Sequence, residues 1–541
     1  MLGRRSPQMT IEQADALYLD QMDPEWFHYR LAKNRARLFK DEDFKGLYCS
    51  GNGRPSVPPS LLAVALLLQV HDDVSDEEAV HRASWDVRWC VALGVPVGSK
   101  PFAKSTLQLF RSQLVLHPEN GEAVFLASIE EAKRLGLLKD KPLTVAVDTT
   151  PVFGRGAVED TYNLLATGIV KLVRAMAAAD ECDPQDWAAA HDLKRFFAGS
   201  IKGEAAINWD EQAERDALLA SIVGDARRLL VLAGKRRAEL NAGMPEYLLI
   251  GEASELLCQL LAQDVDTDEN GKPFIKEETA KDRIPSAHDP DMRHGRKSAS
   301  SRFDGHKAGI AVDTETGLAV GLDVLPGNAP DNHGVMDLVK DAEANTGCPV
   351  DTTIGDCAYG DGNTRREFAD AKRKLVAKVP SRPQGQLSKD QFIIDLDNGC
   401  VTCPAGHTTR TCANVKNNKH VAKRFYFPAD LCAACPRRSE CVKSKTGGRT
   451  ISIHPDEALL QAARAYQRTE QGKQDTRTRQ VVEHYIARLI QLGMRQSRYV
   501  GRKKARLQLL LTATVANLTR TWNHCESTQE TDNKKTQKKA S

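Results

Sequence analysis

Over roughly the first 135 residues the apolar positions recur at helical spacing rather than in alternation. Gly53 to Ser60 reads as a turn whose last residue, Ser60, is placed to cap an apolar helix starting at Leu61. Ser75 with Glu78 three residues on reads as a capping box opening a helix at Asp76, and another helix begins near Lys104. The period then changes. In Leu143-Thr-Val-Ala-Val-Asp148-Thr-Thr-Pro151 apolar residues alternate with small or hydroxyl ones, which predicts a β-strand with the Asp148 carboxylate at its end. Residues 163–262 return to Ala- and Leu-rich helical spacing, and Asp264 to Ser301, charged and containing Gly and Pro, reads as a long exposed connection. His306–Asp313 and Leu318–Leu325 flank Thr-Glu-Thr-Gly as a hairpin, and a helix over about 333–345 follows. The short β-branched run from Asp351 delivers Asp356 before a Gly-containing loop, Leu375–Val379 is a further strand, and Asp456–Gly493 reads as one long helix.

This order of elements predicts an α/β fold, a mixed sheet flanked by helices. A chain of 541 residues exceeds one ordinary core. The units expected are an all-α N-terminal domain for DNA binding or dimerisation (1–135), a core first part (136–390) interrupted by a helical insertion at about 155–300, a Cys-rich unit (391–455), a core last part (456–525) and a disordered polar tail (526–541). Leu61–Leu68, the longest apolar run, is too short to cross a bilayer. Met-Leu-Gly-Arg-Arg-Ser-Pro has no apolar stretch behind its arginines, so a cytoplasmic location is expected.

Net charge is only +3, but its distribution is uneven. No Asp or Glu falls between His484 and Arg520, whereas Arg488, Arg495, Arg498, Arg502, Lys503, Lys504 and Arg506 do, a one-signed segment suited to a phosphate backbone or, more plainly, a solvated helix face. Six of the thirteen cysteines lie between Cys400 and Cys441. Cys400-x-x-Cys403 and Cys432-x-x-Cys435, with Cys441 behind, are spaced like a zinc ribbon. Cys403, Cys432, Cys435 and Cys441 are the expected structural zinc ligands, with Cys400, Cys412 and His407 as competitors.

Two strand-end aspartates and a helix-borne glutamate, Glu483, can hold a pair of Mg²⁺ or Mn²⁺ ions for phosphodiester chemistry if they meet on one sheet. Arg479 lies four residues before Glu483 and shares its helix face. Asp361 rivals Asp356, and Glu470 rivals Glu483.

Taken together, Val-Ala-Val-Asp148-Thr-Thr-Pro with Asp160-Thr-Tyr-Asn-Leu, Phe303-Asp-Gly-His-Lys, Ile354-Gly-Asp356-Cys-Ala-Tyr-Gly, the Cys-Pro-x-Gly knuckle, and Arg479-x-x-x-Glu483 followed by Arg498-Tyr-x-Gly501 resemble the DDE transposases of bacterial insertion sequences. The resemblance runs from about Phe39 to Arg520. Thr476 and Ile490 stand where the family's glutamate signature usually has Tyr and Lys. The resemblance implies an RNase H-like core, Asp148, Asp356 and Glu483 as the metal-binding acids, cleavage at terminal inverted repeats, strand transfer into target DNA, and a homodimer that pairs two ends.

Overall fold

The computed structural model describes residues 1–5, 12–49, 53–298, 300–380, 387–416 and 421–525, and helical backbone alone from there to Ala540. A mixed sheet carries the fold. Its strands are β1 (Leu143–Phe153), β2 (Arg293–Arg296), β3 (Arg302–Asp313), β4 (Ala319–Pro326), β5 (Val350–Ile354) and β6 (Lys374–Val376). β1 lies between β3, antiparallel to it, and β5, parallel to it; β6 continues parallel beyond β5, while β2 and β4 both pair antiparallel with β3. The hairpin predicted around Thr-Glu-Thr-Gly is β3–β4, and the helix after it is Val335–Thr346.

β1 does not stop at Asp148. It extends five residues further because β3 pairs with it all the way to Phe153 opposite Gly305. A side chain at Gly305 would strike the Val152 carbonyl and the Gly154 nitrogen, so this close crossing requires glycine, whose φ there is +152°.

Helices cover the sheet. Label α1 Phe27–Leu38, α2 Pro59–His71, α3 Pro118–Arg134, α4 Val335–Thr346, α5 Gln480–Leu489 and α6 Arg502–Ala540. α2 starts two residues earlier than predicted, with Pro59 in its first turn, so Ser60 is not a cap; its hydroxyl instead accepts from Arg5 Nε at 2.9 Å. Ser75 does cap, accepting from the Glu78 N–H at 3.1 Å. Every residue of α2 from Pro59 to Val70 is buried, as an all-apolar helix must be. The helix it packs against is α6, which touches α3, α2 and β4 together. Leu507, Leu509, Leu510, Leu511, Val515 and Leu518 of α6 are all buried, each contributing on the order of 2 kcal/mol of apolar burial. One continuous core thus joins the N-terminal helices, the sheet, α5 and α6. The helical insertion has a second core, including Leu165, Ile169, Ile222 and Leu257, and the Cys-rich unit a third, around Phe392, Val401, Phe425 and Ile451.

Two predicted segments differ. Residues 264–301 are not an exposed connection: they contain a short hairpin (Val265–Thr267 with Pro273–Ile275) and the edge strand β2, and Ile284, Ser286, Ala287, Asp289 and Met292 are buried. Residues 456–493 are not one helix. They form Glu457–Arg468, Glu470–Thr478 and α5, then a turn with Gly493 at φ +88°. Thr469, extended at φ −74° and ψ 154°, breaks the first joint and caps the second helix. The disordered tail expected at 526–541 falls outside the residues whose side chains are described.

Candidate functional site

β5 leaves β1 early: their pairing ends at Ala146 opposite Ile354. Further along the same edge, the chain beyond α5 returns, with Phe153 donating to the Arg495 carbonyl at 2.9 Å and Ser497 donating to the Phe153 carbonyl at 2.8 Å. Between these two closures β1 faces a gap in the sheet, and Asp148 lies in it. Asp148 therefore lies where the neighbouring strand has departed rather than at the end of its own strand. Arg495 lines the far side of the gap, donating to the Pro151 carbonyl at 3.3 Å and the Thr150 hydroxyl at 3.4 Å.

Asp148 accepts from the Thr149 N–H at 2.7 Å and from Arg479 Nη1 at 3.1 Å, while Arg479 Nη2 pairs with Glu483. One guanidinium thus joins the strand acid to the helix acid. The buried face of α5 (Val482, Tyr485, Leu489) turns Glu483 outward to this side, and Tyr485 is fixed by its hydroxyl donating to Asn517 at 2.8 Å. Asp356 follows β5 immediately, caps the turn Cys357–Tyr359 and accepts from the Ala358 N–H at 2.8 Å. Burial pushes the Asp148 carboxyl up to about 6, with the charges of Asp356 and Asp331 adding and the Thr149 N–H and Arg479 opposing. The buried Tyr359 hydroxyl is raised well above its ordinary value by burial and then by Asp148, Asp331 and Asp356.

Sequence reasoning misses Asp331. It sits in Pro326-Gly-Asn-Ala-Pro-Asp-Asn332, whose turn composition masks it, and accepts from the Thr149 hydroxyl at 2.6 Å and from the nearly buried Lys307 at 2.7 Å. Lys307, in the Phe303-Asp-Gly-His-Lys stretch, meets it only through the approach of this loop to the sheet. The two rival acids have other employment: Asp361 caps the helix Gly362–Asp370 and accepts from Asn332 at 2.6 Å, and exposed Glu470 pairs with Lys473 at 2.7 Å.

The basic segment divides. Arg498 pairs with Asp73, Arg506 with Glu122 at 2.8 Å, and Arg479 and Arg495 are engaged in the gap. Arg488 reaches Gln491 at 3.3 Å, while Arg502, Lys503 and Lys504 stand exposed at the start of α6. The run is therefore not one surface, because most of α6 is core.

Cys403, Cys432, Cys435 and Cys441 line one small cavity together with His407. Burial raises the Cys441 thiol, Arg449 opposes, and the other three thiols add to the rise. Cys400 lies on a buried strand and Cys412 is exposed on another, and neither lines that cavity. A tetrahedral thiolate set with bonds of ~2.3 Å needs sulfurs roughly 3.8 Å apart. Among the described residues, the group of His, Cys and acids whose ligand atoms all lie within 4.8 Å is a different one, His28, His71 and Asp72. Asp72 there also accepts from Trp89 at 2.7 Å and Arg82 at 3.0 Å, so its oxygens are already taken in a polar network tying α1 to α2. Burial opposes its ionisation, yet hydrogen bonds from His28, His71 and Trp89 hold it well below the usual carboxylate range.

Among known families, the model described as "Transposase DDE domain" matches residues 402–522, and that described as "Transposase domain (DUF772)" matches residues 28–113. Both matches are to transposase families, and together they support an insertion-sequence DDE transposase. The first match spans the Cys-rich unit, Arg479, Glu483 and most of the described part of α6; the second spans α1 and α2, which pack in the same core. No curated protein and no solved structure matches the chain. Among the described residues, no helix is long and apolar enough to cross a membrane.

Proposed function

We propose that this transposase cuts the ends of its insertion sequence and joins them to target DNA, using Asp148, Asp356 and Glu483 on an RNase H-like sheet. The observation that carries the reading is Arg479, whose single guanidinium holds Asp148 and Glu483 at once beside the strand end that bears Asp356. The strand order, with one central strand flanked by an antiparallel hairpin on one side and two parallel strands on the other, supports the RNase H-like assignment.

The acids fit hard divalent cations, since Asp148 and Glu483 share one guanidinium, Asp148 feels the charge of Asp356, and a cation would relieve the burial and neighbouring negative charge that push the Asp148 carboxyl up to about 6. Asp148, Asp356 and Glu483 would hold a Mg²⁺ or Mn²⁺ pair, which supplies activation of the attacking oxygen and stabilisation of the leaving one. Arg479 neutralises the acids in the meantime, buried Tyr359 lies near enough to feel the charges of Asp148, Asp331 and Asp356, and Asp331 with Lys307 fixes Thr149 of β1. Exposed Arg502, Lys503 and Lys504, with Arg488, are the cationic side chains offered to DNA. Cys403, Cys432, Cys435 and Cys441 would hold a structural zinc, for which their shared cavity is the support. The working unit is a homodimer that pairs two inverted terminal repeats in the cytoplasm.

The test is cleavage and joining of terminal-repeat DNA in Mg²⁺. Asp148→Ala, Asp356→Ala and Glu483→Ala each abolish both steps while leaving the circular dichroism spectrum unchanged. Full end cleavage by any of them removes that residue from the site. Cleavage by the wild type without joining of precut ends leaves a nuclease rather than a transposase.

A further inference from the structure

A second anion-binding surface lies behind the Asp356 turn. Gly360, four residues past Asp356, packs so tightly on the Lys378 carbonyl that any side chain there would collide with it. Beyond Lys378 opens a cleft of about 790 Å³ between the end of β6, the Cys-rich unit and the helix Glu457–Arg468. Among the described residues, five cationic side chains line it (Lys378, Lys389, Arg449, Arg464 and Arg468) against one acid, Asp390.

Part of this charge is answered from within. Glu457, fully buried, takes Lys389 on one oxygen and Arg464 on the other at 2.9 Å. Arg449 donates to the Leu387 and Cys441 carbonyls, which fixes its position without cancelling its charge. Lys378 and Arg468 are exposed and have no ion pair among the described residues. A cleft with this excess of positive charge, walled by fixed guanidinium groups, focuses potential onto a line of phosphates. Its dimensions exceed those of a single phosphate site, and its cationic side chains, spread over the end of β6, the Cys-rich unit and the helix Glu457–Arg468, suit a run of phosphates along a duplex backbone.

We propose that this cleft is a second DNA-binding groove, in which the Cys-rich unit and the helix Glu457–Arg468 hold the phosphate backbone of duplex DNA running away from the acidic gap. The Cys-rich unit is then a DNA clamp carried on the far edge of the sheet. The inference rests on the DNA-processing reading above, and the experiment separates the two.

Binding of a fluorescein-labelled mixed-sequence duplex is followed by anisotropy as a function of NaCl. The double variant Lys378→Gln/Arg468→Gln is expected to bind roughly tenfold more weakly and to flatten the slope of log Kd against log salt by about two, one for each phosphate no longer neutralised. The charge-keeping variant Lys378→Arg/Arg468→Lys retains wild-type affinity; if it weakens equally, packing rather than charge is responsible and the groove is overturned. If the glutamine variant binds with unchanged affinity and slope while Lys503→Gln/Lys504→Gln loses both, the groove is overturned and the DNA-processing reading stands. A wild type that binds duplex without salt dependence, or not at all, overturns both.

Discussion

Asp148 is the residue on which pH acts most directly. Its carboxyl is raised from an ordinary 3.8 to about 6, so the folded state holds its proton more tightly than the unfolded chain does. Such a group favours folding below its unfolded pKa, and that contribution is lost as pH rises through the folded value. Above it, the wild type bears an ionised carboxylate in an unfavourable place, which Asp148→Asn removes. The variant should therefore be more stable than wild type at pH 8 by about 1–3 kcal/mol in urea unfolding, with the difference closing toward zero below about pH 4. A variant less stable at pH 8 would mean that Arg479 contributes more than burial subtracts. That Asp148 lies on a strand, Asp356 just past one and Glu483 on a helix is legible in the sequence, because each sits in or beside a clear periodic run. Asp331 and Lys307 are not, since an acid among turn residues and a lysine inside a strand carry no periodic signal and are joined only by the approach of a loop to β1.

α5 owes its orientation to one polar knot. Asn517 of α6, fully buried, accepts from the Ala319 N–H at 3.0 Å and from the Tyr485 hydroxyl, and donates to the Ala319 carbonyl at 2.9 Å. It thereby ties α6 to β4 and to the helix that presents Glu483. Asn517→Leu leaves those partners unsatisfied and should cost about 2–4 kcal/mol in urea unfolding. Tyr485→Phe, which loses the contacts of the hydroxyl with Asn517 and the Ala513 carbonyl and leaves Asn517 its backbone partners, should cost about 1 kcal/mol. Equal losses would show that the tyrosine hydroxyl, not the contact with β4, is the principal tie. At this scale the strands and most helices follow their periods. The joints do not: Thr469 and Gly493 interrupt a helical pattern that continues across them, and residues 264–301 acquire order from burial against the helical insertion despite a loop-like composition.

Three cores in one chain predict unequal responses to the loss of metal. The Cys-rich unit has a small core of its own, so the zinc proposed for its four thiols would stabilise that unit and little else. Chelation under reducing conditions should raise hydrogen exchange across residues 387–416 and 421–455 while α2, α3 and α6 stay protected. Protein that contains no zinc by atomic emission, or that loses protection throughout, would reject this arrangement. The separate insertion and Cys-rich units are visible as changes of composition along the chain. The union of the N-terminal helices with the sheet is not, because it depends on α6, whose arginines and lysines suggest a surface while its leucines fill the centre. α6 is also translated after nearly everything it packs against. Until the ribosome has made it, α2, α3 and β4 wait with bare apolar faces, so assembly of the main core is a late event in synthesis, and a chain halted before Arg502 would present those faces to chaperones and proteases.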